Sequence, residues 1–257
     1  MNHLKLLSAL TILSLLSTAC SNMSFKKDEE KTAVVKRVAV VAFASTQPIT
    51  SGEGIIGSLT GTRNSNQPFN PALCTEENHL LTMIKIVNHH LEKDLKLTAI
   101  PETELVSNPV YQTLQAKVKD MWSHGFIPKD NSCFVAKGVI DSYKWPQVTQ
   151  EDIRALKIAL KVDAVVMAIA SSEQIAMRLV GVAVGGSKTK VTLLARMYNG
   201  IDEDPIYYDL SAAGKEVEDG TSDVLGFADR DEINKKTLIA TDYAAATLTE
   251  RFRMMKK

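Results

Sequence analysis

Two glycine-rich stretches have spacings that also occur in phosphate-binding loops. Residues 52–57 contain G-x-G-x-x-G, a spacing that binds dinucleotides only where the glycines lie directly between a strand and a helix. Here TGTRNSNQPFNP follows soon afterwards instead of a helical pattern. Residues 181–188 place Ser before Lys, the reverse of the order in a phosphate loop. We therefore predict no nucleotide cofactor.

The histidines are the next candidates for chemistry. His79, His89 and His90 lie in one predicted helix, and Cys74 immediately precedes that helix. Adjacent helical residues point about 100° apart, so His89 and His90 do not easily share a metal ion, and no zinc-ligand spacing is present. No nucleophile elbow or Ser-x-x-Lys set occurs either. We predict no metal and no catalytic residue; an envelope hydrolase with paired carboxylates under a long loop is the enzymatic alternative.

The amino-terminal segment has the layout of a secretory signal peptide. Lys5 supplies the positive end, and residues 6–16 form an apolar run that is short for a membrane span. Small residues then precede Cys20. The remaining alternatives for this segment are an ordinary cleaved signal and an uncleaved anchor.

The end of this segment resembles the lipobox of bacterial lipoproteins. One departure is Ser17, which occupies the position where a lipobox usually has Leu; Leu16 lies one place earlier. The resemblance implies that Cys20 is lipidated and becomes the first mature residue. It also implies that Ser21 directs the protein to the outer membrane, where the chain would face the periplasm.

The rest of the chain has the composition of one globular domain. Residues 1–19 are the predicted signal peptide, 20–33 a polar tether and 34–257 a single α/β domain. Removing the signal peptide leaves 29 basic and 30 acidic residues. This balance provides no basic field for nucleic acid, so we predict no nucleic-acid partner.

An oxidising compartment would leave Cys74 and Cys133 with one intramolecular pairing. Either these two cysteines form a disulfide or both remain unpaired, because spacing alone does not bring two residues together.

Hydrophobic periodicity predicts a three-layer α/β sandwich with a mixed central sheet. Residues 34–44 and 164–170 are nearly continuously apolar, which is typical of central strands covered on both faces. Apolar residues recur at helical spacing in 75–96, 149–161 and 229–254. Gly185 and Gly186 predict a hairpin turn. Residues 205–215 alternate, which predicts a strand with one solvent-exposed face.

The chain resembles envelope proteins built on the α/β domain of the TolB N-terminal region. This domain also occurs in the penicillin-binding-protein activator LpoB, the polysaccharide-export lipoprotein PelC and the curli secretion lipoprotein CsgG. The resemblance rests on the lipoprotein signal, KRVAVVAF, a long polar loop, LKLTAIP and KVDAVVMAIA. It implies a non-enzymatic protein that binds envelope partners, activates synthases or forms export rings.

We therefore expect a lipid-anchored, non-catalytic periplasmic binding or assembly module with an envelope protein partner. The alternative is a homo-oligomeric secretion or polysaccharide-export component. The candidate contact residues are Ile55 and Ile56, in the polar loop 45–74, and Tyr207, which we expect on the exposed face of its strand because exposed aromatics favour interfaces.

Overall fold

A mixed sheet lies between two layers of helices. The computed structural model describes residues 25–48, 75–76, 78–119, 131–179, 182–218 and 230–254. Within these ranges the strands are β1 (Phe25–Lys27), β2 (Arg37–Pro48), β3 (Thr75–Glu76), β4 (Thr98–Ala99), β5 (Asn131–Val135), β6 (Ala164–Leu179), β7 (Val182–Tyr198), β8 (Tyr207–Ala213) and β9 (Val217–Glu218). The sheet order is β1-β8-β7-β6-β2-β5-β3, with β4 paired to β2 and β9 paired to β7.

The helices follow the apolar periods of the sequence. They are α1 (Glu29–Ala33), α2 (Asn78–Leu95), α3 (Glu102–Ser107), α4 (Pro109–Lys119), α5 (Gln150–Leu160) and α6 (Arg230–Met254), with a 3-10 helix at Ser142–Gln147. One face of the sheet is covered by α2 and α6, and the other by α3, α4, α5 and the 3-10 helix. This architecture confirms the predicted single-domain α/β sandwich with a mixed sheet.

The two central strands are parallel neighbours and supply both cores. β2 pairs with β6 from Val38↔Ala164 to Thr46↔Ser171. Alternate residues of β2 enter opposite cores: Val38, Val40 and Phe43 contact the α2–α6 layer, whereas Ala39 and Val41 contact the other. Because both faces of these strands are covered, nearly every position must be apolar.

Local signals in the sequence explain where the helices begin and which faces they bury. The Thr149 side chain caps α5 and receives the Asp152 amide, while the Asp152 carboxylate receives the Thr149 amide, as the sequence predicts. On α2 the stripe Leu80, Ile84, Val87 and Leu91 is buried. In contrast, Ile158 of α5 is 79% exposed; it lies outside the α5 stripe that is buried against the sheet (Ile153, Leu156 and Leu160).

The predicted tether is partly folded. Residues 20–33 were expected to be a polar linker, but β1 pairs antiparallel with β8, at Lys26↔Tyr208 for example, and α1 follows, capped by Asp28. Lys27 is buried. The folded domain therefore begins no later than Phe25, because long-range pairing with β8 orders a segment that has no apolar period of its own.

The predicted hairpin turn was misplaced. Gly185 and Gly186 lie inside β7, and the last pair of the β6–β7 ladder is Leu179↔Val182. The register shifts between Ala176↔Ser187 and Arg178↔Ala183, where β7 contains extra residues. The two glycines therefore coincide with a bulge, a common position for glycine inside a strand.

Candidate interaction surface

Tyr207 faces the core rather than solvent. It is 3% exposed, and its ring contacts the Phe252 ring edge-to-face with 4.9 Å between centroids. Its hydroxyl donates to the Leu248 carbonyl at 3.5 Å, and burial raises the pKa of this phenol. The prediction of an exposed Tyr207 is wrong, because α6 covers the face of β8 that carries this residue.

The helical layer of α3, α4, α5 and the 3-10 helix reaches only part of the opposite side of β7, where Tyr198 and Leu194 pack against it. Tyr208 pairs with Arg196 of β7 and with Lys26 of β1, so these three residues share one face of the sheet. Leu210 is 40% exposed. We call this surface the open face and define it by Lys26, Lys190, Arg196, Tyr208 and Leu210.

The open face is basic and aromatic. Lys26, Lys190 and Arg196 make no ion pair with any part of the chain that the structure describes. Glu173 pairs with Lys190 in the ladder and brings one carboxylate to the same region. Lys188 is neutralised by Glu216 and Glu218, at 3.3 and 3.1 Å. Glu218 pairs with Lys188 across the ladder and lies on the same face, so Glu216 and Glu218 together bring one carboxylate more than Lys188 neutralises. The face therefore presents three cations that have no ion pair among the described residues, with a small net positive charge, beside Tyr208 and Leu210.

A two-stranded arm extends beyond the sheet. β2 pairs with β6 only as far as Ser171, and β8 pairs with β7 only from Thr192 onwards. Residues 172–179 and 182–191 therefore continue as a hairpin. Its base, at Ser172, Thr189 and Val191, is buried, and the one described strand beside it is the two-residue β9. At about 3.3 Å per residue the β6 side of this arm extends roughly 26 Å. We call it the hairpin arm.

His90 lies between α2 and α6, and both of its ring nitrogens contact carboxylates. Its Nδ1 lies 2.7 Å from an Asp94 carboxylate oxygen and its Nε2 lies 2.9 Å from an Asp242 oxygen. Thr249 Oγ1 donates to the same Asp94 oxygen at 3.0 Å. The hydrogen bond from His90 is the main reason why the pKa of Asp94 lies below its usual value. The cluster links α2 to α6, because His90 and Asp94 lie on α2 while Asp242 and Thr249 lie on α6.

No local signal in the sequence indicates this role for His90. Its side chain is buried, with 6% of its surface exposed. Its neighbour His89 contacts it only ring edge to ring face, at 5.8 Å. The described residues contain no group of three or more His, Cys, Asp or Glu side chains arranged to hold a metal ion.

Four buried hydroxyls lie beneath α6, close to where the β2–β6 pairing ends at Ser171. They belong to Ser45, Ser172, Thr189 and Thr237, and they find no hydrogen-bond partner within the described ranges. A hydroxyl supplies hydrogen bonds but neither a charge nor a general base.

Several predicted site residues lie outside the described residues: Cys20, Ser21, Ile55, Ile56 and Cys74. Cys133 lies in β5, whose residue Phe134 pairs with Thr75 of β3. The predicted loop at 45–74 begins later than expected, because β2 continues through Pro48.

Comparison with known proteins gives no relative to guide the interpretation. The chain matches no protein-family model, no curated protein sequence and no solved structure. Within the described ranges, every helix is too short or too polar to cross a bilayer.

Proposed function

We propose that this chain is a lipid-anchored envelope protein that binds other envelope components and carries out no catalysis itself. The lipobox-like ending at Cys20 supports the anchor. The resemblance to the α/β domain of TolB, LpoB, PelC and CsgG supports an outer-membrane, periplasm-facing module. In this proposal the chain needs no cofactor.

The observation that carries the binding role is the hairpin arm. A two-stranded hairpin is only marginally stable in water unless a third strand or another surface covers it. The base of the arm is buried at Ser172, Thr189 and Val191, and β9 pairs with only two residues of the arm, Lys188 and Thr189. Residues 174–187, QIAMRLVGVAVGGS, contain a single charged residue, Arg178. A protein partner that covers this segment would stabilise it.

The same arm favours a second candidate, a homo-oligomeric secretion or export component. Arms from neighbouring copies would then cover one another in a closed ring, which is the usual outcome of a repeated heterologous contact. The two candidates predict different complexes, since one contains a second protein and the other contains only copies of this chain.

The test is the mass and composition of the native complex extracted in mild detergent. The matched variant replaces residues 175–188 with Asn-Gly, so that the paired residues Gln174 and Thr189 flank a two-residue turn. We expect the wild-type chain to leave the membrane in a complex, and the trimmed chain to leave it as a folded monomer.

Each outcome separates the candidates. A complex with a second envelope protein supports the binding module, and a complex of identical copies supports the export component. A wild-type chain that is monomeric at native abundance, or a trimmed chain that keeps its complex, would contradict the role of the arm. Circular dichroism of the trimmed chain establishes that the domain remains folded.

A further inference from the structure

We propose that the open face rests on the headgroups of anionic phospholipids. This inference depends on the lipid-anchored part of the proposed function and adds to it the orientation of the domain on the membrane.

The chain between the proposed anchor and the fold is short. Five residue steps separate Cys20 from Phe25, where β1 begins. A fully extended chain covers at most about 3.4 Å per residue, so β1 lies within about 17 Å of the acylated cysteine. β1 is also the outermost strand on its side of the sheet. The strands next to it, β8 and β7, are therefore held near the bilayer, while β5 and β3 lie at the far edge.

The side chains of the open face, which is held near the bilayer, suit anionic headgroups. The open face presents Lys26, Lys190 and Arg196 without acidic partners among the described residues. Tyr208 and Leu210 lie among these cations. Basic side chains attract anionic headgroups, and tyrosine favours the boundary between water and hydrocarbon. The other face of β8 is not available, since α6 covers it.

A surface that attracts lipid headgroups only weakly is sufficient to orient a domain that is already anchored. Because Glu173, and Glu216 and Glu218 beside Lys188, oppose its cations, the open face would bind a membrane only weakly from free solution. A short tether makes the second contact intramolecular, with an effective concentration in the millimolar range. The anchor therefore provides the attachment, and the open face provides the orientation.

The experiment uses the full chain purified from membranes and placed in vesicles of phosphatidylcholine, either alone or with about 30% phosphatidylglycerol. An amine-reactive reagent then labels the lysines, and peptide masses give the rate at each site. We expect Lys26 and Lys190 to react about fivefold more slowly on the anionic vesicles, and this protection to disappear in high salt. Lys93 and Lys137, exposed away from the open face, should react equally on both.

A charge-reversal pair provides the matched control. Lys26→Glu with Arg196→Glu should abolish the protection of Lys190. Lys93→Glu with Lys137→Glu changes the net charge equally and should leave that protection intact. Protection that survives the first pair, or that is equal on neutral and anionic vesicles, would overturn the proposal. Protection seen in whole membranes but on neither type of vesicle would assign the open face to a protein partner instead.

The mass of the amino-terminal peptide keeps the two proposals separate. If Cys20 is acylated but Lys26 and Lys190 are not selectively protected, the anchor is supported and membrane contact by the open face is rejected. A chain without acyl groups that still shows selective protection on anionic vesicles rejects the anchor and retains the open face. Failure of both measurements rejects both.

Discussion

The Lys27 amino group donates a hydrogen bond to the main-chain carbonyl of Phe252 at 3.0 Å, joining two residues that lie 225 positions apart. The same amine lies 4.6 Å from the centre of the Phe252 ring and 3.4 Å from the Glu29 carboxylate. This contact fixes β1, the first strand after the proposed anchor, to the end of α6. Lys27 therefore adds to the β1–β8 pairing in holding the start of the described fold in place.

We expect Lys27→Met to destabilise the domain by about 2 kcal/mol, because a charge-assisted hydrogen bond is lost and a carbonyl is left without its donor. Urea unfolding measures the change. Lys26→Met is the control: Lys26 is exposed on the open face and should change the free energy of unfolding by less than about 0.5 kcal/mol. Equal effects of the two substitutions would show that Lys27 does not hold β1 in place.

Tyr111 should be indispensable for joining α4 to the sheet. Its buried hydroxyl donates to the Val41 carbonyl at 2.7 Å and accepts from the Ile140 amide at 2.8 Å. Tyr111→Phe keeps the ring but leaves both backbone groups unpaired, which should cost about 2 kcal/mol. The control is Tyr243→Phe, on the exposed side of α6. Thermal unfolding in which both variants match the wild type would contradict the prediction.

The His90 cluster predicts a loss of stability in acid. The pKa of Asp94 is lowered mainly by the His90 hydrogen bond, then by Thr249. A carboxyl group whose folded pKa is depressed contributes stability above its unfolded pKa of about 3.9, and this contribution is lost as the pH falls through the folded value. Nearby Arg253 acts in the same direction, while Asp242 shares the His90 ring.

Asp94→Asn should therefore be less stable than the wild type by about 2 kcal/mol at pH 7, and the difference should shrink as the pH falls below the unfolded pKa and through the lower folded pKa of Asp94. Urea unfolding across this range gives the curve. The isosteric Asp242→Asn variant tests the more exposed partner and should have a smaller effect. A difference in stability between Asp94→Asn and the wild type that stays constant with pH would contradict a stabilising role for the ionised Asp94 carboxylate.

Gly214 should tolerate no side chain. A Cβ there would lie 2.7 Å from the Ala240 carbonyl oxygen and 2.8 Å from the Ala244 amide nitrogen, both in the backbone of α6. Gly214→Ala would have to displace the helix, at a cost of about 2 kcal/mol. Ala213→Ser, one residue earlier and half-buried, is the control and should unfold at nearly the wild-type urea concentration. A stable Gly214→Ala chain would mean that α6 can move at little cost.

The register of β3 and β5 bears on the predicted disulfide. Thr75 pairs with Phe134, and Cys74 and Cys133 are the residues immediately before them. Residues paired across neighbouring strands have Cα atoms about 4.8 Å apart, within the range that disulfides span. Peptide mapping without reductant should then detect a Cys74–Cys133 cross-link.

Reducing such a bond should lower stability by about 4 kcal/mol in the chain-entropy account of a loop of this length. The Cys74→Ser variant should unfold at the same urea concentration with and without reductant. Two free thiols in protein isolated from an oxidising compartment would contradict the prediction.

Much of the fold could be predicted because its signals are local. The continuous apolar runs of β2 and β6, the capping box at Thr149 and the stripe on α2 each specify an element within a few residues. The candidate surfaces were less predictable. Alternation in β8 correctly separates Tyr207 from Tyr208, but it does not state which of the two faces a helix covers.

The sequence by itself determined the α/β class and the two central strands, since backbone periodicity and side-chain volume act over neighbouring residues. Only the tertiary structure decided that Tyr207 is buried and Tyr208 exposed, that β1 belongs to the domain and that His90 joins two helices. These outcomes depend on contacts with α6 and β8, which lie far along the chain from β1 and α2. Such contacts are fixed by packing the whole chain at once, and no short stretch of residues encodes them.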